Sequence, residues 1–397
     1  MPPLERRRLW FAGIGGAGLS GYAVLAHAWG ASVSGWDRAE TPYLASVREA
    51  GIPVTIAEDP VPAPEDAEVI VSTAFARLVA GRSRADFLSE LVALRDSLVV
   101  AGTHGKSTTA AMIAFCLDRL GLEPSFLIGA LVPQLGGNVG AGSGLLVVEG
   151  DESDRTVARL RPRIAVLTNV ELDHHATFGS RAELEELFEE WVAGIPEVVR
   201  GDRLPPAEIE LALPGEHNRR NAAAALAALE LIGVSRRDAA AVLAEFQGVS
   251  GRFELLGEAR GIVVYDDYGH HPSEIAAALV TARDVAGQGR LLVAFQPHLY
   301  SRTRHLTWEL AHSLASADVV CVTDVYPARE EPVDGVTGKL VVDALAELRP
   351  GAGVGWTPTT DDAAAFLSRR ARAGDVVLTI GAGDIGRAGR LVLEALR

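Results

Sequence analysis

Short apolar runs alternate along the chain with longer segments in which apolar residues recur every three to four positions. A buried strand of a parallel sheet is a continuous apolar run, whereas a helix that packs on a sheet shows the longer period. The runs predict strands at residues 9–12, 31–35, 68–72, 97–100, 145–148, 164–168, 261–265, 290–295, 319–323 and 376–380. The longer period predicts helices that include residues 19–29, 109–114, 181–193 and 219–232. This alternation indicates an α/β protein built on mostly parallel sheets.

The order of these elements divides the chain into three segments. Residues 1–95 open with a strand, a helix and a second strand, residues 96–247 begin with an apolar run and a glycine-rich turn, and residues 248–397 repeat the alternation. A chain of 397 residues is long enough for two to four domains, since domains commonly hold about 100–200 residues. The sequence therefore predicts three α/β domains with these bounds.

Composition narrows the class of protein. The chain is 48% hydrophobic and 6% aromatic, and its formal net charge is −15, which fits a globular protein and argues against nucleic acid or an anionic membrane as a general partner. Cys116 and Cys321 lie in apolar segments, so we expect buried thiols in a reducing compartment. No apolar run reaches the roughly 18 residues of a membrane span. We expect a cytoplasmic protein without membrane insertion.

A glycine-rich turn joins the run 97–100 to the helical pattern that follows it. It consists of Gly102, Thr103, His104, Gly105, Lys106, Ser107 and Thr108. Backbone N–H groups and the helix dipole favour a bound phosphate at such a turn. We expect Lys106 to reach the outer phosphates and Ser107 to ligate Mg²⁺. Lys106 is one of only two lysines in a chain rich in arginine, although a chance turn of this composition is the alternative.

Acidic residues and a histidine follow the next two apolar runs. Glu149 comes directly after the run 145–148 and begins the acidic segment 149–154, and His174 follows the run 164–168. Ligands in open α/β sheets gather at the carboxyl ends of strands. Mg²⁺ prefers oxygen ligands, so Glu149 is a candidate metal ligand, or else an exposed cap. His174 is a candidate for holding a second cation or orienting a carboxylate, or else a hydrogen-bonded core imidazole.

A second glycine turn lies near the start of the chain. Gly13, Gly15, Gly16 and Gly18 separate the run 9–12 from the first helical pattern, and Asp37 ends the second predicted strand. This spacing is typical of turns that place a nucleotide's phosphates on a helix N-terminus. Glycines that serve only tight strand–helix packing are the alternative.

Two strand ends of the third segment carry further candidates. Arg252 precedes the run 261–265 and could clamp a transferred phosphoryl group, or else form an ordinary salt bridge. Tyr268, His270, His298 and Arg302 follow the runs 261–265 and 290–295. Arg302 can bind a carboxylate through two hydrogen bonds, so this group suits a small acidic ligand; histidine–proline turns without a ligand are the alternative.

Motifs in this order over nearly the whole chain resemble those of the Mur ligase family. They lie at residues 13–18, 102–108, 149–154, 215–218, 266–272, 295–298, 324–326 and 381–385. The Asp-Asp-Tyr-Gly-His-His-Pro sequence at 266–272 and the Phe-Gln-Pro-His sequence at 295–298 resemble the branch that adds L-alanine to UDP-N-acetylmuramate in peptidoglycan synthesis. The resemblance implies a Rossmann-like N-terminal domain, a central P-loop ATPase-type domain and a Rossmann-like C-terminal domain.

The resemblance also implies the activity and the roles of the residues. ATP and Mg²⁺ would drive amide formation through an acyl phosphate on the sugar's carboxylate. The UDP-sugar would lie on the turn 13–18 near Asp37, with its diphosphate on the glycines. Lys106, Ser107, Glu149 and His174 would form the phosphate and metal site. The remaining roles would be adenine contacts by His217 and Asn218, ribose contact by Asp267, phosphate contact by Arg252, and amino-acid binding by Tyr268, His270, His298 and Arg302.

Small molecules would be the partners, with no nucleic acid, and the protein would be a monomer or a homodimer. The chain departs from the family pattern in a shortened segment near 194–215 and at Leu299, where many members have an arginine. Three alternatives stay open: a ligase that recycles a tripeptide onto the same sugar nucleotide, an inactive nucleotide-binding paralogue, and a nicotinamide-dependent dehydrogenase suggested by the first glycine turn alone.

Overall fold

The computed structural model describes residues 3–172, 177–328 and 330–397. The chain forms two compact units, of which the first comprises Met1–Ala212 and Arg219–Gln247 and the second comprises Leu213–Asn218 and Gly248–Arg397. The first unit contains two sheets and the second unit contains one.

The first sheet of the first unit has five parallel strands. In chain order they are β1 (Arg8–Ala12), β2 (Ser32–Asp37), β3 (Val54–Ile56), β4 (Glu68–Val71) and β5 (Arg82–Ser83). Its helices are α1 (Ala17–Ala28), α2 (Leu44–Glu49) and α3 (Arg84–Ala93). The strand order β3-β2-β1-β4-β5 is that of a Rossmann-like sheet, whose crevice lies beside the first strand and the helix after it.

The second sheet carries the phosphate turn. Its strands are β6 (Ser97–Ala101), β7 (Ser125–Val132), β8 (Gly137–Gly140), β9 (Leu146–Glu149), β10 (Ile164–Leu167) and β11 (Glu197–Arg200). The helices that follow these strands are α4 (Lys106–Arg119), α5 (Arg181–Ala193), α6 (Glu216–Leu231) and α7 (Arg236–Leu243). In the order β11-β10-β6-β9-β7-β8 only β8 runs antiparallel to its neighbour. The ends of β10, β6 and β9 are therefore adjacent.

One apolar cluster joins the two sheets of the first unit. Phe11 and Phe87 belong to the first sheet and its helices, and Val99, Leu127 and Phe188 to the second, yet all five lie in the same buried cluster. The rings of Phe11 and Phe87 meet edge to face at a centroid distance of 5.6 Å. Because the cluster is shared, the two sheets are packed as one body.

The second unit is a single six-stranded sheet. Its strands are β12 (Glu254–Ala259), β13 (Ile262–Asp267), β14 (Leu291–Phe295), β15 (Val319–Val322), β16 (Gly353–Trp356) and β17 (Val376–Ile380). Its helices are α8 (Pro272–Ala286), α9 (Tyr300–His305), α10 (Thr307–Leu314), α11 (Lys339–Leu348), α12 (Thr360–Ser368) and α13 (Gly386–Leu396). The strand order is β12-β13-β17-β14-β15-β16, with only β12 antiparallel. Leu291 and Val293 enter one core and Leu292 the other, so both sheet faces are covered.

The predicted α/β class with three mostly parallel sheets is confirmed. Cys116 and Cys321 are buried free thiols, as expected, and burial raises the pKa of each to about 12. Four 3₁₀ segments, at Thr73–Phe75, Pro133–Leu135, Thr156–Arg159 and Gly201–Arg203, complete the described regular structure. In the part of the chain that the structure describes, no helix combines the length and apolarity needed to cross a bilayer.

Candidate active site

The phosphate turn lies between the buried strand β6 and the N-terminus of α4. Gly102 and Gly105 have φ values of +126° and +80°, which side chains rarely adopt. A Cβ on Gly105 would lie 2.3 Å from Oδ1 of Asn221, and one on Gly102 would lie 2.3 Å from Oγ1 of Thr168. Glycine is therefore required at both positions by conformation and by space. Thr108 is buried in the first turn of α4.

Lys106 is held at the turn by three acceptors. Its Nζ donates to the carbonyl oxygens of Gly102 at 2.7 Å and Thr103 at 3.0 Å, and to Oε1 of Glu152 at 3.0 Å. Glu152 is fully buried. Burial by itself would lower the pKa of Lys106, but the carboxylates of Glu152, Glu149 and Asp151 raise it above its usual value. Lys106 is therefore a fixed positive charge at the turn.

Ser107 and Glu149 bring two oxygen ligands together beside Lys106. The Ser107 hydroxyl donates to Oε2 of Glu149 at 2.9 Å, and the backbone N–H of Gly129 donates to the same oxygen at 2.8 Å. Glu149 is the last residue of β9, the neighbour of β6. A hydroxyl and a carboxylate oxygen at this separation are the type of donor that Mg²⁺ prefers. His174 lies outside the described residues.

The end of β10 supports the phosphate turn. Asn169 accepts the backbone N–H of His104 at Oδ1 and donates to the His104 carbonyl from Nδ2, both at 2.9 Å, and the Thr168 hydroxyl donates to the same carbonyl at 2.7 Å. Thr103 Oγ1 donates to the Glu171 carbonyl and accepts the Glu171 N–H, both at 2.9 Å. The residues of the neighbouring strand end therefore fix the turn's backbone.

Arg84 connects the acidic segment to the first sheet. It is the first residue of α3, and its Nη2 lies 2.9 Å from Oδ2 of Asp154 and 3.3 Å from Oδ2 of Asp151. Burial opposes ionisation of Asp151, but Ser153, Lys106 and Arg84 lower its pKa below the usual value. Arg84 Nη1 is also 3.2 Å from where a Cβ on Gly18 would lie. This guanidinium therefore lies between the first glycine turn and the acidic segment.

The first glycine turn is closed by Asp37. Gly13 has a φ of +86°, and the backbone N–H of Gly15 donates to Oδ2 of Asp37 at 2.7 Å. Thr41 Oγ1 donates to the Gly15 carbonyl at 2.7 Å. Gly16 precedes α1 and lacks a side-chain cap. Asp37 is buried, with 8% of its surface exposed. Its hydrogen bond to Gly15 therefore fixes the backbone of the turn that is predicted to hold a diphosphate.

In the second unit, Arg252 lies over the ring of Tyr268. The guanidinium carbon is 4.5 Å from the ring centroid, a cation–π distance. Asp267 accepts backbone N–H groups of Phe253 at Oδ2 and Gly269 at Oδ1, both at 2.7 Å. Loss of hydration raises the pKa of Asp267 to about 6, although Arg252 and the two N–H donors act in the opposite direction.

Three of the residues predicted to bind the amino acid have side-chain rings that lie in one row. The ring centroids of Tyr268 and His270 are 5.6 Å apart and those of His270 and His298 are 5.3 Å apart. The row continues to Tyr326, whose ring centroid is 6.1 Å from that of His298. Arg302 Nη1 lies 2.9 Å from Nδ1 of His298. Since arginine only donates, His298 accepts at Nδ1 and carries its proton at Nε2. The sequence did not assign Tyr326 to this group.

Leu299 joins this row to α9. It has a φ of +69°, an unusual conformation for a residue with a branched side chain. Its N–H donates to the carbonyl of Tyr326 at 3.0 Å. The conformation turns the chain from His298 into the helix that carries Arg302.

Gln296 fixes the turn after β17 beside the row. Its Nε2 donates to Oδ1 of Asp384 at 2.8 Å, and its Oε1 accepts the backbone N–H groups of Asp384 at 2.9 Å and Ile385 at 3.2 Å. A Cβ on Gly383 would lie 2.2 Å from that Oε1 and 2.6 Å from the Tyr326 ring. This contact explains the glycine and links the turn to the ring row.

His217 and Asn218, predicted to contact adenine, lie in the first turn of α6. Asn218 is 4% exposed, and its Nδ2 donates to the carbonyl of Pro214 at 2.7 Å. Burial lowers the pKa of His217, so its ring is neutral at physiological pH. The adenine role of both residues stays a prediction.

Family models match most of the chain. The Mur ligase family catalytic domain matches residues 8–95, the Mur ligase middle domain matches 100–202, and the Mur ligase glutamate ligase domain matches 251–383.

Two curated relatives that align over nearly the whole chain carry the same name. The UDP-N-acetylmuramate–L-alanine ligase of Renibacterium salmoninarum is 39% identical over 451 aligned positions, covering 98% of this chain and 96% of the relative. The enzyme of that name from Kineococcus radiotolerans is 40% identical over 456 positions, covering 98% and 96%. Both alignments are longer than the 397 residues of this chain, so the relatives contain segments without a counterpart here.

Solved structures show the same architecture. The UDP-N-acetylmuramate–alanine ligase of Thermotoga maritima superimposes with a TM-score of 0.80 at 27% identity, covering 98% of both chains. A murein peptide ligase from Psychrobacter arcticus gives a TM-score of 0.64 at 24% identity, also over 98% of both chains. The second likeness concerns the fold alone.

Proposed function

The chain belongs to the Mur ligase family, and from that premise we propose that it is an ATP-dependent ligase that joins L-alanine to UDP-N-acetylmuramate. The sugar's carboxylate oxygen attacks the terminal phosphorus of ATP, ADP leaves, and an acyl phosphate forms. The neutral amine of L-alanine then attacks the acyl carbon, and inorganic phosphate leaves with the proton that the nitrogen loses as the amide forms.

Lys106, Ser107 and Glu149 carry this assignment. A fixed ammonium at the phosphate turn and two oxygen ligands 2.9 Å apart suit a nucleotide triphosphate with its metal ion. Transfer of a phosphoryl group depends mainly on positioning and on charge stabilisation. Hydride transfer by a dehydrogenase does not require a phosphate and metal site of this kind, so we interpret the first glycine turn as the binding site of a sugar nucleotide.

Mg²⁺ fits the donor set of Ser107 and Glu149, and the family resemblance adds His174, which lies outside the described residues, as a third candidate ligand. When bound, the ion would neutralise phosphate charge. Lys106 already donates three hydrogen bonds, so it must exchange at least one of them to hold a phosphate oxygen. Arg252 supplies a second positive charge for the phosphates in this assignment.

The remaining substrate groups follow the predicted division of the chain. We assign the UDP-sugar to residues 1–95, ATP to residues 96–247 and the amino acid to residues 248–397. Arg302 and His298 supply donors for the amino acid's carboxylate, and the exposed ring of Tyr268 supplies apolar area. We expect the reaction in the cytoplasm, where ATP is available.

Release of inorganic phosphate tests the proposal. We expect release only when ATP, UDP-N-acetylmuramate and an amino acid are all present, with L-alanine preferred over glycine and L-serine, and an amide product of the expected mass. Lys106→Ala should abolish release, whereas Lys339→Ala, which changes the other lysine, should not.

The same assay, together with a measurement of ATP binding, separates the competing functions. Preference for a tripeptide over L-alanine would identify a recycling ligase. Binding of ATP without release under any combination would identify an inactive paralogue. Either outcome would overturn the proposal.

A further inference from the structure

The carboxylate of Asp267 ties together two loops that carry different candidate residues. One oxygen accepts the N–H of Phe253, the residue after Arg252, and the other accepts the N–H of Gly269, the residue after Tyr268. Both distances are 2.7 Å. One side chain therefore fixes the backbone on the C-terminal side of both Arg252 and Tyr268.

Neighbouring contacts allow little freedom around this pair of hydrogen bonds. The N–H of Tyr268 donates to the Gly251 carbonyl at 2.7 Å. Phe253 has a φ of +48° and stacks on Tyr265 at a centroid distance of 4.5 Å. A Cβ on Gly269 would lie 2.7 Å from Oδ1 of Asp267. The backbone on each side of the carboxylate is thus shaped to approach it.

We propose that Asp267 is a positioning residue that sets Arg252 against Tyr268, a role separate from the ribose contact that the family resemblance implies for it. The inference rests on the proposed function, in which Arg252 binds phosphate and Tyr268 receives the amino acid. The 4.5 Å cation–π contact between these two side chains would then depend on the carboxylate, and its loss would displace both.

Displacement of a positioned group by about 1 Å can cost a rate factor on the order of 10². The charged groups that face Asp267 are Arg252, on the loop before β12, and Glu274, in the first turn of α8. Protonation of Asp267 would weaken its acceptance of both N–H groups. Activity should therefore fall on the acid side of about pH 6, which is the pKa of this carboxyl.

Asp266 provides a matched control. It precedes Asp267 on β13 and accepts a hydrogen bond from Thr379 Oγ1 at 2.5 Å, on the neighbouring strand β17. An asparagine oxygen can accept the same bond. Asp266→Asn therefore makes the same chemical change one residue away, and it leaves both hydrogen bonds from Phe253 and Gly269 to Asp267 in place.

Phosphate release by the full chain tests the inference with ATP, 2′-deoxy-ATP and 3′-deoxy-ATP. We expect Asp267→Asn to lower kcat roughly 10- to 100-fold with all three nucleotides, and Asp266→Asn to stay within about twofold of wild type. The acid limb near pH 6 should be present in wild type and lost in Asp267→Asn. A deficit of the variant that vanished with a deoxy nucleotide would assign the whole effect to ribose contact, and the inference would be wrong.

Hydrogen exchange gives a readout that does not require turnover. Asparagine keeps only one acceptor oxygen, so in Asp267→Asn the amide of Phe253 or that of Gly269 should exchange at least tenfold faster than in wild type or Asp266→Asn. Unchanged exchange of both amides would overturn the inference whatever the activity. A wild-type chain that released no phosphate would instead refute the proposed function, while the exchange result would still decide whether Asp267 holds the loops.

Discussion

Nζ of Lys106 lies 3.0 Å from Oε1 of Glu152, and this glutamate is fully buried. The pair joins the first residue of α4 to the acidic segment after β9. A buried charge without its partner is strongly destabilising, and the neighbouring carboxylates raise the pKa of Lys106 above its usual value. The phosphate turn is thereby organised around an internal ion pair.

Replacing Glu152 by glutamine should destabilise the protein and lower the pKa of Lys106. Because the ammonium would lose its buried counter-charge, we expect a loss on the order of 3 kcal/mol in the free energy of unfolding. Chemical denaturation measures this loss when a spectroscopic signal from the first unit is followed. Asp154→Asn is the control, since its partly exposed pair with Arg84 is worth about 1 kcal/mol or less. Equal losses in the two variants would contradict the prediction.

The two lysines should react very differently with an amine-selective acylating reagent. The Lys339 side chain is 53% exposed and that of Lys106 is 15% exposed, so Lys339 should be modified first. Saturating ATP with Mg²⁺ should slow modification of Lys106 further and leave Lys339 unchanged. Peptide mass spectrometry measures both rates in one sample. Protection of neither lysine, or of Lys339, would argue against nucleotide binding at the turn.

The parts of the site that the sequence predicted are those built from consecutive residues. The turn around Lys106 is encoded by its own glycines, and Glu149 could be placed beside it because both follow buried strands. The adjacency of β10, β6 and β9 in the sheet agrees with that expectation. Local spacing and the geometry of parallel sheets are sufficient for such an inference.

The parts that sequence reasoning missed depend on partners far apart in the chain. Asn169 bonds to His104 across 65 positions, and Arg84 bonds to Asp154 across 70. Nothing in the local sequence identifies such partners. The hairpin of β7 and β8 was also missed, because its glycines at 136, 137 and 140 resemble those of a loop. Its pairing is a tertiary feature that strand propensity does not reveal.

Asp267 should give the protein a distinctive dependence of stability on pH. Its pKa is raised from 3.8 to about 6, so its contribution to folding is complete below pH 3.8 and is lost as the pH rises through 6. Wild type should gain stability relative to Asp267→Asn between pH 7.5 and pH 5, by about 1 kcal/mol. Melting temperatures at the two pH values measure this, with the exposed Asp334→Asn as control. A difference that is constant or shrinks towards acid would contradict the assigned shift.

Gly383→Ala should impair use of the amino acid more than use of ATP. The added methyl group would lie 2.2 Å from Gln296 Oε1 and 2.6 Å from the Tyr326 ring, so at least one of the two must move. Overpacking of this kind costs about 1–3 kcal/mol. If Tyr326 moves, the row that continues through His298 loses its end, and we expect KM for L-alanine to rise roughly tenfold or more with KM for ATP within about twofold.

Gly353→Ala provides the control for that change. Gly353 lies on β16 of the same unit, where the added methyl group would approach Val319 no closer than 3.4 Å, an ordinary contact. Its kinetic constants should match wild type, and its stability should change by about 0.5 kcal/mol or less. A Gly383→Ala variant that raised KM for both substrates equally would place the defect in the general packing of the unit. One that left KM for L-alanine unchanged would show that the ring row does not receive the amino acid.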